Sequence, residues 1–286
     1  MLALVQPFFH APTSTVSYAV YDRPGGNAAI IDSVLDFDAA AGRTGTRSAD
    51  AIAAFLAEHE LTLDWILETH IHADHLSAAP YLQRRLGGRI GIGDGVTEVQ
   101  EHFGKVFNDP LAFRPHGQPF DRLFADGESF TIGSLQGHVL HTPGHTQDSV
   151  SYHIDGAVFV GDTLFMPDGG TARCDFPGGS AADLYASIRR LLALPDETRV
   201  YVCHDYAPGG RQHAWETTVA EQRRANIHVR DGVDEAAYVA LRTARDRTLP
   251  MPALIIPAVQ VNAAAGRLPP PDVNGVVYLK VPVNVL

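Results

Sequence analysis

One hexapeptide restricts this chain more than anything else in it: His70-Ile71-His72-Ala73-Asp74-His75. It follows almost directly on the apolar run Leu63 to Leu67, which reads as a short buried strand. Along extended backbone side chains alternate, so His70 and His72 leave on one side. The turn beyond can aim Asp74 and His75 at an adjacent point. Three imidazoles and a carboxylate packed this closely would be costly beside an apolar core unless paired, and a bound cation is the economical partner. Any fold for this chain must therefore end a strand at a metal-competent pocket.

Three other strand ends repeat the pattern. The segment His141-Thr142-Pro143-Gly144-His145 closes the strand-like run Leu135 to His141, and Pro-Gly supplies a tight turn that presents His145. His141 itself reads more simply as an ordinary core or surface histidine. Asp162 follows Ala157 to Val160 and Gly161, at the carboxyl end of a strand, where α/β sheets place their sites. Read alone, it is equally an ordinary turn aspartate. His204 comes in the same way after Val200 to Cys203.

Between these points the chain alternates strand and helix patterns. Ser14 to Tyr21 and Ala28 to Asp32 read as a hairpin around Pro24-Gly25-Gly26. Ser48 is expected to cap a helix with Ala51, Ile52, Phe55 and Leu56 as its stripe. Pro80 to Leu86 reads as a helix stopped by Gly87-Gly88, and Arg89 to Ile92 as a strand, while Gly93 to Gly127 shows only a weak pattern. Ser149 to Ile154 and Ala157 to Val160 are joined by the hairpin signal Asp155-Gly156. Ser180 with Asp183 resembles a capping box opening a helix through Leu194. Val200 to Cys203 is expected as a final strand, Trp215 to Ile227 as a helix, and the Pro-rich tail as a surface segment. The alternation predicts an α/β fold, a single domain over 1–286 with a Pro-rich extension from about 226.

Composition narrows the partners. A formal charge of -11, from 33 acidic against 22 basic residues, disfavours nucleic acid and anionic lipid and favours a small-molecule substrate. No apolar run approaches the roughly 20 residues of a spanning helix. The opening residues lack a signal-peptide pattern, so a soluble, cytoplasmic protein is expected. Cys174 and Cys203 are too few for a disulfide framework.

Taken in order, T-H-x-H-x-D-H, H-T-P-G-H-T, G-D-T-L-F and C-H-D-Y resemble the ligand motifs of the metallo-β-lactamase superfamily over residues 14 to about 206. The resemblance implies a four-layer αβ/βα sandwich with a metal site at one edge of its two sheets. In hydrolases of that family, such as glyoxalase II, the positions matching His70, His72 and His145 hold one metal. Those matching Asp74, His75 and His204 hold a second, and Asp162 bridges.

The stretches Glu68 to Ala79, Gly170 to Phe176 and Leu194-Pro195 leading to Cys203-His204-Asp205-Tyr206 are more specifically similar to the persulfide dioxygenases, the branch that includes the ethylmalonic encephalopathy protein. That likeness implies one Fe(II) per chain on His70, His145 and Asp162, a two-histidine, one-carboxylate set with open positions. His72, Asp74, His75 and His204 then orient ligands and tune the metal. The implied substrates are glutathione persulfide and dioxygen, with Asp74, His75 and Tyr206 near the chemistry and Arg173 on the glutathione part. Homodimers are common in that branch. Each of the rim residues has a second reading: Arg173 as a salt bridge to Asp175, Tyr206 as an ordinary half-buried tyrosine, Cys174 as a buried structural thiol and not a sulfur relay. The alternative function is a thioester hydrolase of glyoxalase II type with two Zn(II) per chain.

Overall fold

The computed structural model describes residues 2–108 and 118–285. The first half of the chain forms β1 (Leu4–His10), β2 (Thr15–Tyr21), β3 (Asn27–Ile31), β4 (Val34–Asp38), β5 (Arg43–Gly45), α1 (Arg47–Glu58), β6 (Thr62–Leu67), β7 (Leu76–Ser77), α2 (Ala79–Leu86), β8 (Arg89–Gly93), α3 (Val96–Val106) and β9 (Arg122–Phe124). The second half forms β10 (Ser129–Ile132), β11 (Leu135–His141), β12 (Val150–Ile154), β13 (Ala157–Phe159), α4 (Ala181–Leu191), β14 (Arg199–Tyr201), β15 (Glu216–Thr218), α5 (Val219–Ala225), α6 (Glu235–Asp246) and α7 (Ile255–Asn262).

Two six-stranded mixed sheets, β1-β2-β3-β6-β8-β9 and β10-β11-β12-β13-β14-β15, carry the architecture, with a small sheet β5-β4-β7 beside them. Period-two alternation lets each strand feed two cores. Trp65 and Leu67 of β6 meet Phe130, Val139 and Tyr152 between the sheets, while Ile66 faces Ile52, Leu56 and Leu82 under α1 and α2. On the other side Ala157 and Phe159 point into the inter-sheet core, and Val158 packs with Leu184, Ile188 and Tyr238 under α4 and α6. The result is helix, sheet, sheet, helix: the four-layer αβ/βα sandwich expected. A bulge where Ala28/Ala29 pair with Leu63 and Trp65 leaves Asp64 over, and its carboxylate accepts from Asn27 and from the Gly133 N–H.

Several local expectations are corrected. The sheet begins with β1, whose Pro7 is tolerated because the strand pairs only with β2. Ser48 caps nothing: Thr46 stands at the N-cap, and the Ser48 N–H and hydroxyl both donate to Asp36, each at 2.9 Å. Ala51 is exposed, the buried stripe being Ala49, Ile52, Ala53 and Leu56. The weakly patterned stretch holds α3, β9 and, just beyond it, β10. The strand at Arg199–Tyr201 is not the last, since β15 pairs beside it and takes the first turn of the helix expected from Trp215. Nor does the tail merely cross the surface. Helix α7 buries Ile255, Ala258, Val259 and Val261, and Pro257 is accommodated in its first turn, where an N–H has no intrahelical partner. Ser180 does cap α4, accepting from the Asp183 N–H.

Candidate metal centre

The hexapeptide leaves β6 at the edge between the two large sheets, and the ends of β11, β13 and β14 arrive at the same place. Close approach demands small residues there. A Cβ on Gly161, at φ +51°, would lie 2.6 Å from Thr69 Oγ1, so only glycine lets the end of β13 pass the segment carrying His70.

Two groups of donors result. In the first, His70 Nδ1 lies 3.0 Å from Thr69 Oγ1, and His145 Nδ1 donates to the Arg173 carbonyl at 2.7 Å. Those contacts leave each Nε2 for a cation. His145 Nε2 is 3.5 Å from Asp162 Oδ2, and one donor atom from each of His70, His145 and Asp162 lies within 4.8 Å of the others. The second group is built differently. His72 gives its Nε2 to Asp32 Oδ1 at 3.0 Å, which turns Nδ1 inward, and His75 Nδ1 lies 3.3 Å from the Leu76 carbonyl. His204 Nε2 sits 3.4 Å from both Asp74 Oδ2 and Asp162 Oδ1.

Among the described residues, five of the buried atoms without a hydrogen-bond partner belong to this cluster: His72 Nδ1, Asp74 Oδ2, His75 Nε2, Asp162 Oδ1 and His204 Nε2. Orphaned polar atoms converging on one point are a heavy cost without a ligand, and an N/O donor set of this kind suits a transition metal. The residues therefore fit a bound cation. Protonation agrees: burial and the neighbouring His72 hold His70 well below the ordinary imidazole range and pull His75 down to about 3, the neutral state that ligation needs. His72 is the exception, because Asp32 and Glu68 outweigh burial and push it up to about 10.

Some residues that shape the site carried no flag in the sequence. Asp32 accepts from the Thr69 N–H at 2.7 Å, the Thr69 hydroxyl at 2.9 Å and His72. Asp148 accepts from the Ile71 N–H at 2.7 Å. Asn262, from α7, donates to the carbonyls of His72 and His75 at 2.8 and 2.7 Å. Asp32 follows the apolar run of β3 as Asp162 follows β13, so the strand-end argument applied there would have found it. Asn262 had no such signal. His141 stays outside the cluster, its ring beside the Phe124 carbonyl and Asp94.

A cavity of about 610 Å³ opens over Asp74, His145 and Asp162, walled by Phe165, Phe176, Tyr206 and the 249–254 segment. The Tyr206 ring is 60% exposed and lies parallel to His204, centroids 5.9 Å apart. Arg173 lines the same space, its guanidinium gripped by Asp175 at 2.6 and 2.7 Å and by the Pro250 carbonyl, so the salt-bridge reading describes its ground state. Burial and the nearby Asp246 push the Cys174 thiol up to about 12, which fits an inert structural thiol.

Comparison with known proteins agrees with this geometry. Residues 11–204 match the family model described as the metallo-β-lactamase superfamily. A probable metallo-hydrolase of Burkholderia pseudomallei is 53% identical, with 99% of each chain covered. A β-lactamase hydrolase-like protein of Xylella fastidiosa is 54% identical over 99% of this chain, which spans 65% of that relative's length. Among solved structures, ETHE1 from Myxococcus xanthus superposes with a TM-score of 0.74 at 32% identity, covering 92% of this chain and all of the other. Among the described residues no helix is long and apolar enough to cross a membrane.

Proposed function

The chain belongs to the metallo-β-lactamase superfamily, and within it we propose a persulfide dioxygenase that holds one iron(II) on His70, His145 and Asp162. The observation that carries this reading is the two-histidine, one-carboxylate triad, of which His145 and Asp162 line the open cavity. Both of its imidazoles are anchored through Nδ1, so coordination positions stay free on the cavity side. The likeness to ETHE1 over nearly the whole chain supports it. Iron(II) at that position supplies the electron chemistry that lets dioxygen react with a sulfur anion.

The chain's own groups do the rest. Phe165 and Phe176 limit water around the reacting sulfur. Arg173, fixed by Asp175, offers its remaining N–H groups to a carboxylate of the glutathione part, and the Tyr206 hydroxyl donates at the rim. The Asp74 carboxylate, with His75 behind it, takes a proton from the water that hydrolyses the oxidised sulfur. Overall, glutathione persulfide, dioxygen and water give glutathione, sulfite and two protons.

A second reading has its own support. The orphaned Asp74 Oδ2, His75 Nε2 and His204 Nε2 form a second donor group beside Asp162, which suits two zinc ions and a thioester substrate. Metal analysis of anaerobically purified protein separates the two. About one iron per chain, with oxygen uptake driven by glutathione persulfide, is expected. Two zinc ions per chain with hydrolysis of S-lactoylglutathione and no oxygen uptake overturns the dioxygenase. Asp162→Ala is expected to abolish metal binding, and His204→Ala to leave iron in place but more weakly held.

A further inference from the structure

A file of side chains runs away from the metal pocket through the start of the chain. His204 Nδ1 lies 3.5 Å from Thr15 Oγ1, Thr15 Oγ1 lies 2.7 Å from Thr13 Oγ1, and Thr13 Oγ1 lies 2.8 Å from His10 Nδ1. On its far side His10 places Nε2 3.5 Å from Asp36 Oδ1. Asp36 is pinned in turn by the Ser48 N–H and hydroxyl. The backbone is fixed at the inner end as well: Thr15 and His204 form an antiparallel bridge, and the Val16 N–H donates to the Cys203 carbonyl at 2.7 Å.

The file has one consistent direction. An ionised carboxylate can only accept, a hydroxyl has one hydrogen to give, and a neutral imidazole carries a hydrogen on one nitrogen alone. The Asp36 carboxylate, facing His10 Nε2 at 3.5 Å, favours a hydrogen on that nitrogen, which leaves His10 Nδ1 as an acceptor. Thr13 donates to it, Thr15 donates to Thr13, and His204 donates from Nδ1 to Thr15. The two carboxylates facing His204 Nε2, Asp74 and Asp162 at 3.4 Å each, pull the other way, so the file is what holds a hydrogen off the nitrogen that a cation needs.

We propose that Asp36, His10, Thr13 and Thr15 are positioning residues that fix the tautomer and orientation of His204, keeping its Nε2 bare and facing the metal pocket. The proposal rests on that pocket holding a cation, and it deepens the reading above by extending the site to a carboxylate on β4. It sets a carboxylate behind an imidazole that faces the metal pocket, relayed over two hydroxyls.

The test compares full-length wild type with Thr13→Val, Thr13→Ser, His10→Phe and His10→Gln. Histidine-ring proton–nitrogen correlation spectra, metal-free and zinc-loaded, read the His204 tautomer, and chelator competition reads cobalt(II) affinity. Serine and glutamine can keep the sequence of donors and acceptors, whereas valine and phenylalanine break it. Expected is a hydrogen on His204 Nδ1 in wild type, Ser and Gln, its loss from Nδ1 in Val and Phe, and cobalt(II) binding weakened about 10-fold in Val and Phe alone. Matched thermal midpoints for Thr13→Val and Thr13→Ser separate this effect from general destabilisation. A wild-type ring spectrum in Thr13→Val, or equal cobalt(II) affinity in the Val and Ser variants, overturns the proposal. These are equilibrium readouts, independent of whether oxygen is consumed, so failure of the file and failure of the dioxygenase reading are told apart.

Discussion

Replacing Asp32 by alanine is the sharpest probe of how the hexapeptide is held. The carboxylate is 2% exposed and accepts from the Thr69 N–H, the Thr69 hydroxyl and His72 Nε2, at 2.7, 2.9 and 3.0 Å. Truncation leaves a backbone N–H and an imidazole N–H buried with no acceptor, at about 1–3 kcal/mol each. The Thr69 hydroxyl loses its acceptor as well, because His70 Nδ1, 3.0 Å away, carries the hydrogen that leaves Nε2 for a cation. Three stranded donors put the expected loss at about 3 kcal/mol or more, and removing one partner of a buried ion pair sets a scale of about 3–5 kcal/mol. At roughly 2–4 °C per kcal/mol for a chain of this size, the melting midpoint should fall by about 10 °C. Metal affinity should fall ~10- to 100-fold, because His72 loses the contact that aims Nδ1 inward. Asp32→Asn keeps the shape but sets an amide NH2 against a donor, so it should lie between wild type and Ala. Circular-dichroism melts with and without metal, paired with chelator competition, measure both effects. An Ala variant that melts within about 1 °C of wild type and keeps its metal affinity would refute the reasoning.

Three further outcomes follow from other parts of the molecule. Burial, then Arg242 and Arg245, pull His228 down to about 4, so this residue's contribution to stability is complete above pH 6.5 and is lost as pH falls towards 4. The loss should be about 2 kcal/mol after solvent screening, read from urea melts across that window, and His228→Gln should flatten it. In Gly144→Ala the new Cβ would sit 2.2 Å from the Leu184 backbone nitrogen at φ +132°, so the start of α4 must move and His145 with it. A loss of about 3 kcal/mol or more is expected, together with reduced metal content by elemental analysis. Both cysteines are buried with thiols pushed well up, so native protein should react with an aromatic disulfide reagent only after denaturant is added; fast native labelling would contradict the burial.

The donors were legible because each follows a short apolar run, a pattern contained within a few residues. His70, His145, Asp162 and His204 are found that way, and the structure brings them to one edge. The helices and strands that were misjudged failed for a different reason: a distant partner won. Ser48 reads as a cap until Asp36, on a neighbouring strand, takes both its hydrogens. The first turn of the helix expected from Trp215 becomes β15 because β14 offers Glu216 to Thr218 a ladder. The tail reads as surface by its prolines, yet α7 buries its apolar side chains against the first half of the molecule. Asp32 and Asn262 act on His72 over 40 and 190 residues of chain, a separation at which no local pattern survives.

Asn262 also bears on when the pocket becomes selective. The last histidine of the cluster is His204, whereas the amide that braces the carbonyls of His72 and His75 arrives 58 residues later, 262 less 204. At roughly 5–20 residues per second of synthesis, a nascent chain spends about 3–12 s with its imidazoles made but their loop unclamped. A loose cluster ranks ions by intrinsic affinity, which favours copper and zinc over iron, whereas a clamped one can discriminate by shape. A cation that entered before the clamp formed would therefore be sorted by ion supply as well as by the finished pocket.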